Sequence, residues 1–263
     1  MHPFFYIFGN QVSGYAVMGL IGFLASVLFL LIQCCTQKFS FDDVIYIFVL
    51  GMIGAMLGAK LLYLLIEVQD IFGNLRNALH NPLLYLRAYV SGGMVFYGGL
   101  CGGVIAAKKA ADYFNIDLAS HYDIFIPTIP LFAGFGRFGC LMEGCCYGKE
   151  TNSIFHIVFH NSLFAPNNVP LIPTQLYEAI FDFALFAVLI VLGKDQKKIP
   201  HLLDIYLMFY ASFRFAIEFF RGDLIRGVRI LSTSQWISVA VLVVLLVQFG
   251  TRKKDVQHDA VLR

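Results

Sequence analysis

The chain has 263 residues, of which 59% are hydrophobic and 14% charged, with 27 Phe and 13 Tyr. Soluble domains carry roughly 25% charged residues, so this composition excludes an ordinary soluble protein and points to an all-α, polytopic membrane protein. A net charge of +2 offers no electrostatic footprint for nucleic acid, and the long Phe, Leu, Ile and Val runs exclude disorder.

Seven stretches, near 14–35, 44–67, 93–113, 122–142, 175–193, 201–220 and 234–250, are long enough to cross the membrane as helices, given about 30 Å of hydrocarbon and a rise of about 1.5 Å per residue. They are read as a single polytopic membrane domain over 1–263. No cleavable signal peptide is expected: the first 13 residues lack Lys and Arg, and the apolar run after them has no small-residue cleavage pattern. The segment 68–91 mixes apolar, aromatic and basic residues (Ile71, Phe72, Arg76, Leu83, Leu84, Tyr85, Leu86, Arg87) and is expected to lie along the interface as an arm. The loop over 143–174 carries a β-like run, Phe155 to Phe159, and then Pro166, Pro170 and Pro173, and is expected to form a small cap on the outer face. With the N-terminus outside, inner segments hold ten Lys and Arg and outer ones six, which favours an outside N-terminus and an inside C-terminus. Lys60, Arg137 and Arg214 fall within or at the edges of spans.

Those cations sit in polar islands. Phe135 to Gly148 begins inside an apolar run with Arg137 and continues through Gly136, Gly139, Gly144 and Gly148, with Glu143 and three cysteines. An arginine at the bilayer centre costs roughly 3 kcal/mol or more, so it calls for an internal partner or an anionic ligand. A second island, Tyr210 to Asp223, places Tyr210, Arg214 and Glu218 four residues apart on one helical face, with Arg221 near the next turn. Its Arg–Glu pair reads either as a self-neutralising packing device or as a guanidinium held for a phosphate, and the two are compatible. A third island, Ser91 to Gly103, has six glycines around Tyr97, including Gly98 and Gly99; close helix packing and lipid binding both fit such a stretch. Pro173 to Glu178, with Gln175, opens the fifth span as a helix N-terminus. Tyr15 opens the first, where an aromatic-belt residue is expected. Cys140, Cys145 and Cys146 cluster near the outer face. Small-residue packing, a disulfide and a zinc site are the three readings, and the C-x4-C-C spacing matches no common zinc pattern.

In this order the islands resemble the prolipoprotein diacylglyceryl transferase family. Gly136–Gly148 resembles its Gly-Arg-x-Gly-Asn-x-x-Asn-Gly-Glu-x-x-Gly signature, and Gly92–Gly99 its Gly-Gly-x-x-x-His-Gly-Gly segment. Pro173–Glu178 resembles Pro-Thr-Gln-Leu-Tyr-Glu, Tyr210–Arg221 the Tyr-x-x-x-Arg-x-x-x-Glu-x-x-Arg helix, Leu231–Gln235 the start of the last span, and Gly58–Tyr63 a second-span element. The resemblance implies a multi-pass enzyme of the bacterial cytoplasmic (inner) membrane that moves diacylglycerol from phosphatidylglycerol to the lipobox cysteine of a prolipoprotein signal peptide, releasing glycerol phosphate. It implies catalytic roles for Arg137, Arg214, Tyr97 and Glu218. Substrate-binding roles follow for Tyr15, Tyr210, Arg221, Gly98, Gly99, Gly136, Gly139, Gly144, Gly148, Gln175 and Glu143. It implies no cofactor and no metal. The chain departs from the pattern where the family's histidine is Tyr97, its asparagines are Cys140 and Glu143, its glutamate is Cys145, its histidine before Pro-Thr-Gln is Ile172 and its second-span arginine is Lys60. The phosphate-binding half is kept and the proton-handling half altered. The alternatives are a related enzyme using another acceptor, a lipid- or partner-binding membrane protein without catalysis, and a thiol-redox or metal role for the cysteines.

Overall fold

The computed structural model describes residues 4–7, 10–37, 40–74, 81–90, 93–118, 122–162, 164–194, 202–223, 227–228 and 230–261. The described chain is mostly helical: α1 (Gly14–Gln37), α2 (Phe41–Ile66), α3 (Val68–Gly73), α4 (Pro82–Val90), α5 (Phe96–Phe114), α6 (Tyr122–Glu143), α7 (Thr174–Gly193), α8 (Leu202–Ile217) continued by a 3₁₀ turn (Glu218–Phe220), and α9 (Thr233–Val261). Three short antiparallel hairpins accompany them: β1 (Phe4–Ile7) with β2 (Asn10–Ser13), β3 (Ile157–Val158) with β4 (Pro170–Leu171), and β5 (Gly227–Val228) with β6 (Leu231–Ser232). Five helical stretches among the described residues are long and apolar enough to cross a membrane: Gly14–Thr36, Phe41–Ile66, Ile124–Glu143, Thr174–Gly193 and Thr233–Thr251. The other two expected spans also form helices. However, α5 carries Lys108, Lys109 and Asp112, and α8 stops after 16 residues as the chain tightens into its 3₁₀ turn.

The chain divides into two compact units, Leu31–His121 and a second made of Met1–Leu30 with Tyr122–Arg263. In the first, α2 and α5 are the principal helix pair, and their glycines let the two backbones meet. A Cβ on Gly102 would run into the Gly54 carbonyl and lie 2.9 Å from Gly58 Cα. One on Gly58 or Gly98 would meet the other's carbonyl oxygen. Small residues that allow such approach are the usual basis of helix association in lipid. The glycine island is therefore, on this side, a packing surface. Tyr97 is buried beside it, its ring edge-to-face with Phe96 at 6.2 Å. In the segment read as an arm, α3 and α4 are tied by a hydrogen bond from the Tyr85 hydroxyl to the Ile71 carbonyl at 2.6 Å, and Phe72, Leu83, Leu84 and Leu86 are exposed. Arg76 and the link at 75–80 lie outside the described residues.

In the other unit α6 and α7 form the principal pair. Gly134 leaves room for the Phe183 ring, which meets Phe135 edge-to-face at 5.3 Å. Phe181 stacks on Phe213 at 3.9 Å and so joins α7 to α8. Between α6 and α7 the chain folds over a small apolar cluster of its own, Phe159, Ala165 and Leu171, with Leu141, Tyr147, Ile157 and Val169 packed against it. This cluster explains why a largely irregular segment keeps its shape: its aromatic and aliphatic residues are buried together, with β3 and β4 closing the ends.

Candidate active site

The buried face of α7 runs through Gln175, Glu178, Asp182, Leu185 and Leu189. The spacing of three and four residues keeps them on one stripe, polar at the N-terminal end and apolar beyond. On α8 the buried residues Tyr206, Tyr210 and Arg214 recur every four positions, and Tyr206 stacks on Tyr210 at 5.7 Å. The two polar stripes meet α6 at Arg137.

Glu178 is the centre of this meeting. Its Oε1 accepts a hydrogen bond from Nη1 of Arg214 at 2.9 Å, and its Oε2 lies 3.2 Å from Nη1 of Arg137 and 3.9 Å from Nη1 of Arg221. The other branch of Arg214 reaches Glu218 Oε2 at 3.0 Å and the Ser234 hydroxyl at 3.2 Å. Arg221 donates to both oxygens of Asp223, at 3.2 and 2.7 Å. Three guanidinium groups from two helices and a loop thus converge on one buried carboxylate. Glu178 faces all three cations and Asp223 takes two donors from Arg221, the pairing that burial of ions requires. Burial alone would pull the Arg221 guanidinium down; the neighbouring Cys146, Asp223 and Glu178 push it up instead, and it stays charged.

The loop after α6 is fastened to this cluster through its backbone. Gly144 adopts a positive φ of 78°, a conformation open to glycine at little cost, and the Ser162 hydroxyl caps the turn by donating to the Glu143 carbonyl at 3.0 Å. The Gln175 amide donates to the Cys145 carbonyl and the Thr174 hydroxyl to the Cys146 carbonyl, both at 2.8 Å. Gly148 then packs under Ile172, its N–H donating to the Ile172 carbonyl at 3.1 Å, and pairs with Arg221 in a β-bridge. The signature loop, the start of α7 and the segment after α8 are one hydrogen-bonded assembly.

Of the residues singled out in the sequence, this unit brings together Arg137, Arg214, Arg221, Glu218 and Gln175. Tyr210 lies one turn before Arg214 and interacts electrostatically with Arg137. Tyr15 seats on Gly139, where a Cβ would come within 2.9 Å of its ring, so the start of α1 lies against the signature helix. Gly136 faces open space, with nothing within 4 Å of a Cβ. Glu143 ends α6 and takes part through its carbonyl. Tyr97, Gly98 and Gly99 belong to the other unit and are buried there, Gly98 and Gly99 against α2. Sequence reading gave Glu218 the task of holding Arg214 and passed over Glu178, which holds three arginines. It also passed over Asp182, one turn further along α7, which is buried with no hydrogen-bond partner for Oδ1 among the described residues.

A buried cluster of fixed guanidinium groups, reached by a glycine-rich loop and set among apolar helices, suits the phosphate of a lipid. Its cations are already oriented, so little reorganisation is needed when negative charge develops. The sequence profile of the prolipoprotein diacylglyceryl transferase family matches residues 3–250. The chain is 35% identical over 246 residues, covering 94% of it and 95% of the relative, to a phosphatidylglycerol–prolipoprotein diacylglyceryl transferase of Clostridium tetani (strain Massachusetts / E88). It is 34% identical over 237 residues, 90% of both chains, to the enzyme numbered 2 of that name in Clostridium perfringens (strain 13 / Type A). A Geobacter sulfurreducens relative with the same name is 33% identical over 224 residues, 83% of this chain and 82% of its own. The chain belongs to the prolipoprotein diacylglyceryl transferase family.

Proposed function

We propose that the chain transfers the diacylglyceryl group of phosphatidylglycerol to the cysteine thiol of a prolipoprotein. The observation that carries this reading within the family is the convergence of Arg137, Arg214 and Arg221 on Glu178. The acceptor thiolate attacks the glyceryl carbon that bears the phosphate, because the thiolate and not the thiol is the nucleophile. A carbon–sulfur bond forms as the carbon–oxygen bond breaks, and the electron pair stays on the phosphate oxygen. The thiol's proton ends on the departing glycerol phosphate, so no cofactor is consumed.

Arg137 and Arg214 stabilise the charge that grows on the leaving phosphate; Glu178 and Glu218 hold their planes in place, and Arg221 contacts the headgroup. Tyr97 takes the position of the family's histidine and handles the proton, either through its hydroxyl or through a water. Tyr15, Tyr210, Gln175, Glu143 and the glycines at 136, 139, 144 and 148 shape the space for lipid and signal peptide, while Gly98 and Gly99 let α5 pack on α2. In the membrane, α5 and α8 with its 3₁₀ turn cross together with the five apolar helices, giving seven spans. Residues 68–91 lie along the interface and 143–174 cap the outer face, with the N-terminus outside and the C-terminus in the cytoplasm, as the Lys and Arg distribution favours.

The test is release of glycerol phosphate from labelled phosphatidylglycerol by the purified protein in proteoliposomes, with and without a lipobox peptide. Peptide-dependent release together with a lipidated peptide is the expected result. Release that needs no peptide would indicate another acceptor, and lipid binding without release would indicate a non-catalytic protein.

A further inference from the structure

Three thiols remain outside the roles assigned so far. Cys140 is buried on the last turn of α6, while Cys145 and Cys146 are half-buried on the loop that follows. Their three sulfurs all lie within 4.8 Å of one another. A chain spacing that matches no common ligand pattern thus becomes a compact triad once the loop folds back on the helix end.

We propose that Cys140, Cys145 and Cys146 form a three-thiolate site for a soft, closed-shell d¹⁰ cation, zinc(II) or copper(I). Three sulfurs each about 2.3 Å from one ion are about 3.8–4.0 Å apart, so small side-chain rotations close the observed triangle around a metal. A disulfide needs sulfurs at about 2.05 Å and would use two of the thiols and strand the third. The scaffold favours the metal. Gln175 and Thr174 hold the carbonyls of Cys145 and Cys146 from the start of α7, and Cys146 keeps a positive φ of 60°, unusual for a residue with a side chain. Both fix the loop beneath Cys140. Charge is compensated as well: three thiolates and a divalent ion leave one negative charge, and Arg137 and Arg221 both interact electrostatically with the cysteine cluster. Thiolate ligands select soft ions over calcium or magnesium. Because the same loop is fastened to the helix that carries Glu178, an ion here stiffens the backbone beside the guanidinium cluster.

The experiment uses the full-length protein in detergent, stripped of metal and kept reduced, and titrated with cadmium(II) as a spectroscopic probe and then with zinc(II) and copper(I). Expected is a thiolate-to-metal charge-transfer band that saturates at one cadmium per chain, with Cys140, Cys145 and Cys146 protected from alkylation in step with it. Zinc or copper(I) displaces the cadmium, and whichever does so at lower concentration is the preferred ion. Cys145→Ser weakens binding at least about tenfold, and Cys101→Ser leaves it unchanged. Alkylation protection in the unsubstituted protein keeps the test decisive if Cys145→Ser fails to fold. No saturable band, protection of other cysteines instead, or a Cys140 disulfide in the protein as purified would overturn the proposal. None of these readouts depends on transferase turnover.

Discussion

Glu178 Oε1 accepts from Arg214 at 2.9 Å while Oε2 of the same carboxylate lies 3.2 Å from Arg137. One acid on α7 therefore couples the signature helix α6 to α8. Replacing it by glutamine keeps the shape and removes the charge, leaving guanidinium groups facing one another with less compensation. Breaking a buried ion pair from one side costs about 3–5 kcal/mol, and Glu178 is only 3% exposed. Glu178→Gln is expected to lower thermal stability in detergent and to cut glycerol phosphate release more strongly than Glu218→Gln, which loosens Arg214 alone. Equal effects of the two substitutions would remove Glu178 from the centre of the site.

Arg214 spans two acids and a hydroxyl through two different nitrogens. Lysine supplies the charge but has a single nitrogen and no planar fork, so it cannot hold Glu178, Glu218 and Ser234 together. Arg214→Lys is expected to reduce turnover by about 10²–10³-fold, the usual loss when one fixed donor to a developing charge is removed. Binding of phosphatidylglycerol is expected to weaken far less. Turnover in proteoliposomes, measured beside lipid binding, separates the two effects. Undiminished turnover would mean that Arg214 serves packing alone.

Much of this arrangement was legible in the sequence. The five most apolar helices follow from length and hydropathy, and Tyr210, Arg214 and Glu218 follow from four-residue spacing. Glu178 was not legible as the hub. A lone carboxylate five residues after Pro173 reads as part of a helix start, and nothing in one helix says which arginines of two other segments will face it. The signal lay in charge balance. Arg137, Arg214 and Arg221 in apolar surroundings need more than Glu218, and Glu178 and Asp182 are the acids of the fifth span, four apart on one face. The glycine island was open between packing and binding for a similar reason. Glycines state that something comes close; only α2 lying against Gly98 and Gly102 identifies what does.

That helix contact gives a structural prediction independent of chemistry. At Gly102 a side chain would strike the Gly54 carbonyl and the Gly58 backbone, neither of which can rotate away. Overpacking of this kind costs about 1–3 kcal/mol, and more where backbone must move. Gly102→Val is expected to lower the melting temperature and protein yield. Gly19→Ala, where a Cβ meets nothing within 4 Å, is expected to leave stability unchanged or to raise it by about 0.5–1 kcal/mol. If Gly102→Val melts with the unsubstituted protein, α2 and α5 do not pack through their glycines.

Tyr97 carries the remaining question of the proton. It is buried in the glycine-flanked start of α5, where the sequence resemblance sets it against the family's histidine. Tyr97→Phe removes one oxygen and preserves the ring, its volume and its edge-to-face contact with Phe96, so the packing of α5 should survive. If the hydroxyl moves the acceptor thiol's proton, directly or through a water, its loss removes a general acid–base contribution of about 10²–10⁴-fold. The expected result is that kcat falls within that range while affinity for phosphatidylglycerol and the melting temperature stay near their starting values. Tyr97→His, which introduces the residue that the resemblance sets at this position, is expected to recover turnover with a pH dependence that enters the range where imidazole titrates, about 6.5. A Tyr97→Phe protein with full turnover would move the proton transfer to another group, and Glu143→Gln would then be the variant to measure.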